Sequence, residues 1–341
     1  MRKRARIIYN PVAGREAMHD DLADILTIYE QAGYETSAFA TTPEPDSAKH
    51  EATRAANEGF DLLVAAGGDG TLNEVINGIA GLEKRPRLAI IPAGTTNDYA
   101  RALHVPREDP VAAAKLILNK DNHFKIDLGK AGDNYFMNIA AGGTLTELTY
   151  DVSTQMKSLF GYLAYFAKGA EMLPQVKPVH MNIKYDGQEF DGMASTVFLA
   201  LTNSVGGFEQ IVPDAALNDG MFSLIIVKDS NMVGLMQLMA KALKGTHLDD
   251  PRVIYVKAKD VQITPLDTKD RLMINLDGEY GGDAPMHFQA LKQHLDIVAD
   301  VSAIPENAIA SIDPDMKKAE DDFVRGVDQI GARPVPELHR D

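Results

Sequence analysis

The sequence predicts an α/β unit built on a parallel sheet, followed by a β-rich unit of two packed sheets. Three observations carry this. Over the first 128 residues, short apolar runs alternate with amphipathic helical stretches, the pattern of strand–helix–strand crossovers. From Phe124 onward the apolar period changes to two, with turn residues between segments. A length of 341 residues exceeds one ordinary core and suits two.

The first strand ends at Tyr9, before Asn10-Pro11. Leu22, Ile25, Leu26 and Tyr29 then recur at helical spacing, with Gly33 as the stop. An extended stretch at 35–41, a helix at 48–58 and an apolar strand at 61–66 follow. Leu72, Val75, Ile76 and Ile79, at i, i+3, i+4 and i+7, predict the next helix. Leu88–Ile91 is a further strand, with a helix starting at Asn97 or Asp98 and another over 111–118. The units predicted are 1–128 and 129–303. From Phe124 onward, strands are expected at 124–128, 135–139, 179–185, 195–202, 221–227, 253–257, 261–264, 271–276 and 295–299, with a hairpin turn at Asp186-Gly187. Helical stretches interrupt at 145–172 and 232–244. The stripe Met232, Leu235, Met236, Leu238, Met239, Leu243 reads as core rather than as a lipid-facing surface. The dense aromatic surface of 159–166 offers a wall for an apolar pocket. A last helix within about 304–330 has one apolar face and is expected to dock back on the first unit.

Composition excludes several classes. With no cysteine there is no disulfide, thiolate ligand or catalytic thiol. A net charge of −15 argues against nucleic acid as a partner and against non-specific binding to anionic lipid. Membrane contact would need a local basic patch, for which Arg2, Lys3 and Arg4, or Lys157, Lys168, Lys177 and Lys184, are candidates. The N-terminus does not read as a signal peptide, and no apolar run is long enough to span a bilayer.

The most informative stretch is Gly67-Gly68-Asp69-Gly70-Thr71-Leu72-Asn73-Glu74, between a predicted strand and a predicted helix. Such a turn gathers backbone N–H groups and a helix N-terminus around one point, which suits a phosphate. A carboxylate there repels a phosphate unless a cation lies between them, so Asp69 points to a nucleotide–Mg²⁺ site. The same device recurs at Asn10-Pro11-Val12-Ala13-Gly14 and at Gly94-Thr95-Thr96-Asn97-Asp98. Three such strand ends in one parallel sheet line one edge, where open α/β sheets bind ligands. In the second unit, Asp277-Gly278-Glu279 ends a strand and taken alone reads as a solvated turn. The loop through Asp219 reads either as a turn or as an oxygen-only cation site.

As a set, these motifs resemble the soluble bacterial diacylglycerol kinases, within the wider family of diacylglycerol, sphingosine and ceramide kinases. The match runs through Asn10-Pro11…Gly14, Gly67–Glu74, Gly94–Arg101, Lys125–Gly129, Gly206-Gly207-Phe208…Pro213-Asp214…Asp219-Gly220 and Asp277-Gly278-Glu279, over roughly residues 5–300. The resemblance implies a nucleotide unit of NAD-kinase/phosphofructokinase type followed by a β-sandwich. It implies ATP held by Asn10, Pro11, Val12, Ala13, Gly14, Thr41, Gly67, Gly68, Asp69, Gly70, Thr71, Leu72, Asn73, Glu74 and Thr95. It makes Glu279 the base that takes the acceptor's proton, with Asp69 the second catalytic residue. It implies a structural Mg²⁺ on Asp219 and the carbonyls of Ala216 and Met221. Asp69, Asp98 and Asp127 become a water-bridged network for the catalytic Mg²⁺. Two departures stand out: Arg15 replaces a common lysine, and Ala216 and Asn218 replace the usual Lys and Asp of the metal loop.

The expected activity is ATP- and Mg²⁺-dependent phosphorylation of 1,2-diacylglycerol to phosphatidate. The expected setting is a cytoplasmic protein touching the inner face of the membrane, with a homodimer compatible with the sequence. Alternatives are a kinase of another lipid (a sphingoid base, phosphatidylglycerol or undecaprenol) and, with less in its favour, NAD kinase.

Overall fold

The computed structural model describes residues 2–13, 17–143, 177–203, 212, 214–230, 232–267 and 271–304. Gly14 and Arg15, the helices expected at 145–172 and 304–330, the aromatic segment 159–166, the glycines at 206–207 and Pro213 lie outside the described residues.

Strands β1 (Lys3–Tyr9), β2 (Tyr34–Ala40), β3 (Leu62–Gly67) and β4 (Arg87–Pro92) pair in parallel in the order β2-β1-β3-β4. Every residue of β3 is buried, as befits a strand covered on both faces. Alternate residues feed two cores. Ile8, Leu63, Leu88 and Ile90 pack with Ala52 and Ala55 of α2 (Ser47–Asn57), Val75 and Ile76 of α3 (Asp69–Ile79) and Tyr99 of α4 (Asp98–Ala102). Ile7, Leu62, Val64 and Ile91 pack with Ile25, Ile28 and Tyr29 of α1 (Ala17–Gln31) and Ala114 of α5 (Pro110–Lys115). The apolar spacing read for α3 holds: Leu72, Val75, Ile76 and Ile79 are at most 3% exposed. The strand order reverses between β1 and β3, a topological switch point.

The β-rich part comprises β5 (His123–Ala131), β6 (Asn134–Phe136), β7 (Ile139–Gly143), β8 (Val179–Tyr185), β9 (Gln188–Ala200), β10 (Phe222–Lys228), β11 (Val253–Ala258), β12 (Asp260–Pro265), β13 (Met273–Leu276), β14 (Glu279–Asp283) and β15 (Met286–Val298). Asp186 and Gly187 make the β8–β9 hairpin with φ of 44° and 81°, the twist that a two-residue turn requires. All of these strands belong to one hydrogen-bonded network, which forms the β-rich part expected from the sequence. The first half of β9 pairs with β8, and its second half runs between β7 and β10. In the larger of this part's two buried clusters Phe136 stacks on Phe222 at 5.6 Å and meets the edge of Phe288 at 6.5 Å. Helix α6 (Met232–Leu243) buries Leu235 and Leu238 with Ile225 and Val227, so the core reading of its stripe holds for those two residues.

Several elements differ from the sequence reading: β9 begins at Gln188 rather than at 195, β14 was not expected, and two further differences have a clear physical reason. The single strand expected at 135–139 is split into β6 and β7, because the N–H groups of Met137, Asn138 and Ile139 donate to the Asp277 carboxylate instead of to a ladder. The strand expected at 295–299 extends back to Met286 as β15, whose first half alternates outward His287 and Gln289 with inward Phe288 and Ala290. Near its start β15 pairs with β12, and near its end Ile297 pairs in parallel with Leu88 of β4. A single strand thus carries the sheet from one unit into the other.

Candidate active site

The C-terminal edge of the parallel sheet brings the three turns together. The Asn10 N–H donates to the Ala66 carbonyl and the Thr41 N–H to the Tyr9 carbonyl, both at 2.9 Å, while the Ala93 N–H reaches the Gly67 carbonyl at 2.8 Å. Asn10 Oδ1 accepts from the Val12 N–H at 3.1 Å, folding Asn10-Pro11-Val12-Ala13 into a tight turn with Val12 exposed. The glycines are needed for close approach. A Cβ on Gly94 would lie 2.6 Å from the Gly68 Cα, and one on Gly67 would lie 2.5 Å from Thr71 Oγ1. Gly68 caps α3, and Gly70 and Thr95 are exposed at the rim. Leu72 and Thr71 are buried, so at those positions side chains build the turn rather than face the rim.

The acids divide by partner. Asp69 accepts the backbone N–H groups of Asn97, Asp98 and Tyr99, so its carboxylate sits at the start of α4. Burial raises its pKa and those donors oppose the rise. The turn before α4 is closed by Asn97 itself, with φ of 48°, whose side chain bonds both the N–H and the carbonyl of Gly94. Asp127 is buried and accepts the Gly220 N–H at 2.5 Å and the Gln293 N–H at 2.7 Å. Burial raises its pKa, the two N–H donors lower it, and neighbouring Asp219 raises it further. The structure therefore joins Asp69 to Asp98, and Asp127 to the Asp219 loop. Among the described residues no three His, Cys, Asp or Glu side chains converge on one metal position.

Helix α3 links this edge to the β-rich part. Asn73 Nδ2 donates to Asp277 at 3.4 Å, and Asn77 Nδ2 donates to the Tyr135 carbonyl at 2.9 Å. His294 Nε2 meets the Ala80 carbonyl at 2.8 Å. Asp277 also takes the three N–H groups of 137–139 at 2.8–2.9 Å, and burial pushes its pKa up to about 6. Beside the seam lies a cleft of about 340 Å³. Gly70, Asn73, Glu74 and Lys49 form one wall, and Tyr135, Glu279 and Tyr280 form the other. Glu279 is exposed at the start of β14, on the wall facing the glycine turn's helix. Glu74 has one oxygen committed to the Ala48 N–H at 2.8 Å, at the start of α2.

Mg²⁺ takes hard oxygen donors. In the loop at 216–221 the oxygens expected to serve are the Asp219 carboxylate and the carbonyls of Ala216 and Met221. Asp219 Oδ1 accepts the Met221 N–H at 2.9 Å, and Oδ2 lies 3.7 Å from Lys257 Nζ. The Asp219 carboxylate is of the chemical type Mg²⁺ takes, and Lys257 is a cation already beside it.

Sequence reasoning missed Asn77, Tyr135 and the inward role of Asp277. The one available trace is that Asn73 and Asn77 stand four apart on α3, a polar row that the structure places against protein rather than water.

A glycine-lined edge at a sheet switch point, facing a carboxylate across a cleft, is the layout of a phosphoryl-transfer enzyme. The comparisons give its family. Residues 4–131 match the diacylglycerol kinase catalytic domain, and residues 146–299 match the YegS C-terminal NAD kinase beta sandwich-like domain. A diacylglycerol kinase of Bacillus subtilis is 51% identical over 296 residues, 87% of this chain and 96% of that protein. One from Staphylococcus aureus is 49% identical over 311 residues, 91% of this chain and 97% of that protein. The crystal structure of a diacylglycerol kinase from Bacillus anthracis superposes with a TM-score of 0.69 at 26% identity, covering 88% of this chain and 98% of that one. The chain belongs to the diacylglycerol kinase family of lipid kinases. No helix among the described residues is long and apolar enough to cross a membrane.

Proposed function

We propose that the protein transfers the γ-phosphoryl group of ATP to the free hydroxyl of 1,2-diacylglycerol, giving phosphatidate and ADP, in contact with the inner face of the membrane. The observation that carries this reading is the cleft itself, in which Glu279 lies across from Gly70 and Asn73 of the helix that begins at the glycine turn. The family implies ATP, and the paired turns at Gly68 and Gly94 suit its phosphates. Asn10–Ala13, Thr41, Gly67–Thr71 and Thr95 line or build that edge.

Phosphoryl transfer asks for positioning and charge neutralisation more than for covalent chemistry. Mg²⁺, when bound, neutralises the phosphate oxygens. Asp69 and Asp98 hold the edge where it would sit, and Asp127 steadies the Asp219 loop, where a second, structural Mg²⁺ would be held by Asp219 with the carbonyls of Ala216 and Met221. Glu279 takes the proton from the acceptor hydroxyl as its oxygen bonds to phosphorus. The role suits an exposed carboxylate at a cleft wall and is worth roughly 10²–10⁴ in rate.

The test is transfer of labelled phosphate from ATP to a panel of dispersed lipids and NAD, read by product mobility. Label in phosphatidate supports the reading. Label in a phosphorylated sphingoid base, phosphatidylglycerol or undecaprenol moves it to that acceptor, and label in NADP rejects a lipid acceptor.

A further inference from the structure

We infer that Asp277 is a positioning residue that sets the reach of Glu279 into the cleft, braced through Asn73 to the helix that carries the glycine turn. This rests on the reading of Glu279 as the base.

Asp277 and Gly278 are the two-residue turn between β13 and β14, because Leu276 pairs directly with Glu279. Their φ values, 52° and 97°, are those of the Asp-Gly hairpin turn. Such a turn needs only its conformation and leaves its carboxylate in water. Here the carboxylate turns inward. It accepts from the Met137 N–H at 2.8 Å, from the Asn138 and Ile139 N–H groups at 2.9 Å, and from Asn73 Nδ2 at 3.4 Å. The Asp277 N–H returns a bond to the Ile139 carbonyl at 2.9 Å, and the Gly278 N–H is held by Asn275 Oδ1 at 2.8 Å. The residue following this turn, Glu279, is itself exposed. Its placement therefore comes from the fixed turn below it rather than from packing around it.

Asn73 makes the brace directional. It lies one helical turn inside α3, whose N-cap is Gly68. The helix that presents the donor's turn thus also grips the hairpin that presents the acceptor's base, and donor and base share one rigid element. Misplacement of a reacting group by about 1 Å can cost on the order of a hundredfold in rate. Asp277 acts on the reaction through Glu279 and needs no contact with substrate.

The test is a double-mutant cycle on the full chain, with kcat, ATP KM, far-UV circular dichroism and thermal midpoint measured for each variant. Asp277→Asn keeps the size but sets an amide N–H₂ against N–H donors. Its kcat is expected to fall about 10- to 100-fold with ATP KM unchanged. In the Glu279→Gln background the same change is expected to cost nothing further, since the group it positions is already disabled. A loss of equal size in both backgrounds makes Asp277 structural and overturns the inference. Should Asp277→Asn fail to fold, Asn73→Ala runs the same cycle with the three backbone bonds intact, a smaller drop and the same expected disappearance. A Glu279→Gln variant that loses less than tenfold overturns the base reading itself, an outcome separate from additivity.

Discussion

Asn77 and Tyr135 exchange two hydrogen bonds across the seam between α3 and β6: the Tyr135 N–H donates to Asn77 Oδ1 at 2.8 Å, and Asn77 Nδ2 donates to the Tyr135 carbonyl at 2.9 Å. The amide completes the free edge of β6 as a further strand would. Asn77→Leu leaves both backbone groups of Tyr135 unpaired and part-buried, at a cost of about 1–3 kcal/mol each way a partner is lost. Urea denaturation is expected to show that loss, and a change under about 0.5 kcal/mol, the size of an ordinary surface substitution, would mean the seam is not held there.

Gly94→Ala is expected to weaken ATP binding. The new Cβ meets the Gly68 Cα at 2.6 Å and Asn97 Oδ1 at 2.8 Å, so the two turns must part. Overpacking of this kind costs about 1–3 kcal/mol. A direct ATP titration measures it, and unchanged affinity in a folded variant would remove this edge from the nucleotide site.

The raised pKa of Asp277, about 6, ties stability to pH. Its folded value lies above the unfolded carboxylate value, so between about pH 4 and 6 the folded state binds more protons than the unfolded one. Its contribution is therefore present below about pH 4 and is lost as pH rises through 6. The thermal midpoint of Asp277→Asn is expected to lack this decline. Parallel pH profiles for the two proteins would contradict the assignment.

Asp219→Ala is expected to abolish the Mg²⁺ dependence of stability measured without nucleotide. An ion bound only by the folded state stabilises it by about 2.7 kcal/mol at a hundredfold excess over Kd. A wild-type melting temperature that moves with Mg²⁺ and a variant that does not would support the loop as a metal site, and equal shifts would make it a plain turn.

Much of this was legible from the chain because it depends on local rules. The period of α3, the buried run of β3 and the glycines after β3 and β4 each follow from one short stretch and its spacing. Asp186-Gly187 gave its hairpin for the same reason. What escaped depends on partners distant in sequence. Asp277 breaks the strand expected at 135–139 from 138 or so residues away, and Asn77 finds Tyr135 at a separation of 58. The first half of β15 was missed because its outward face is polar and its pairing is with β5 and β12. Asp277-Gly278 read as a solvated turn since its φ requirement is local, whereas its carboxylate's inward bonds are not.

In the proposed reaction Glu279 removes the acceptor's proton while the α/β unit holds ATP. Glu279→Gln keeps the size of the side chain and cannot take a proton. Steady-state phosphorylation of dispersed diacylglycerol, run beside a direct ATP-binding titration, separates chemistry from binding. The expected result is a fall in kcat on the order of 10²–10⁴ with ATP affinity near that of the wild type. A kcat within tenfold of wild type would contradict the account and turn attention to Asp69, Asp98 and Asp127.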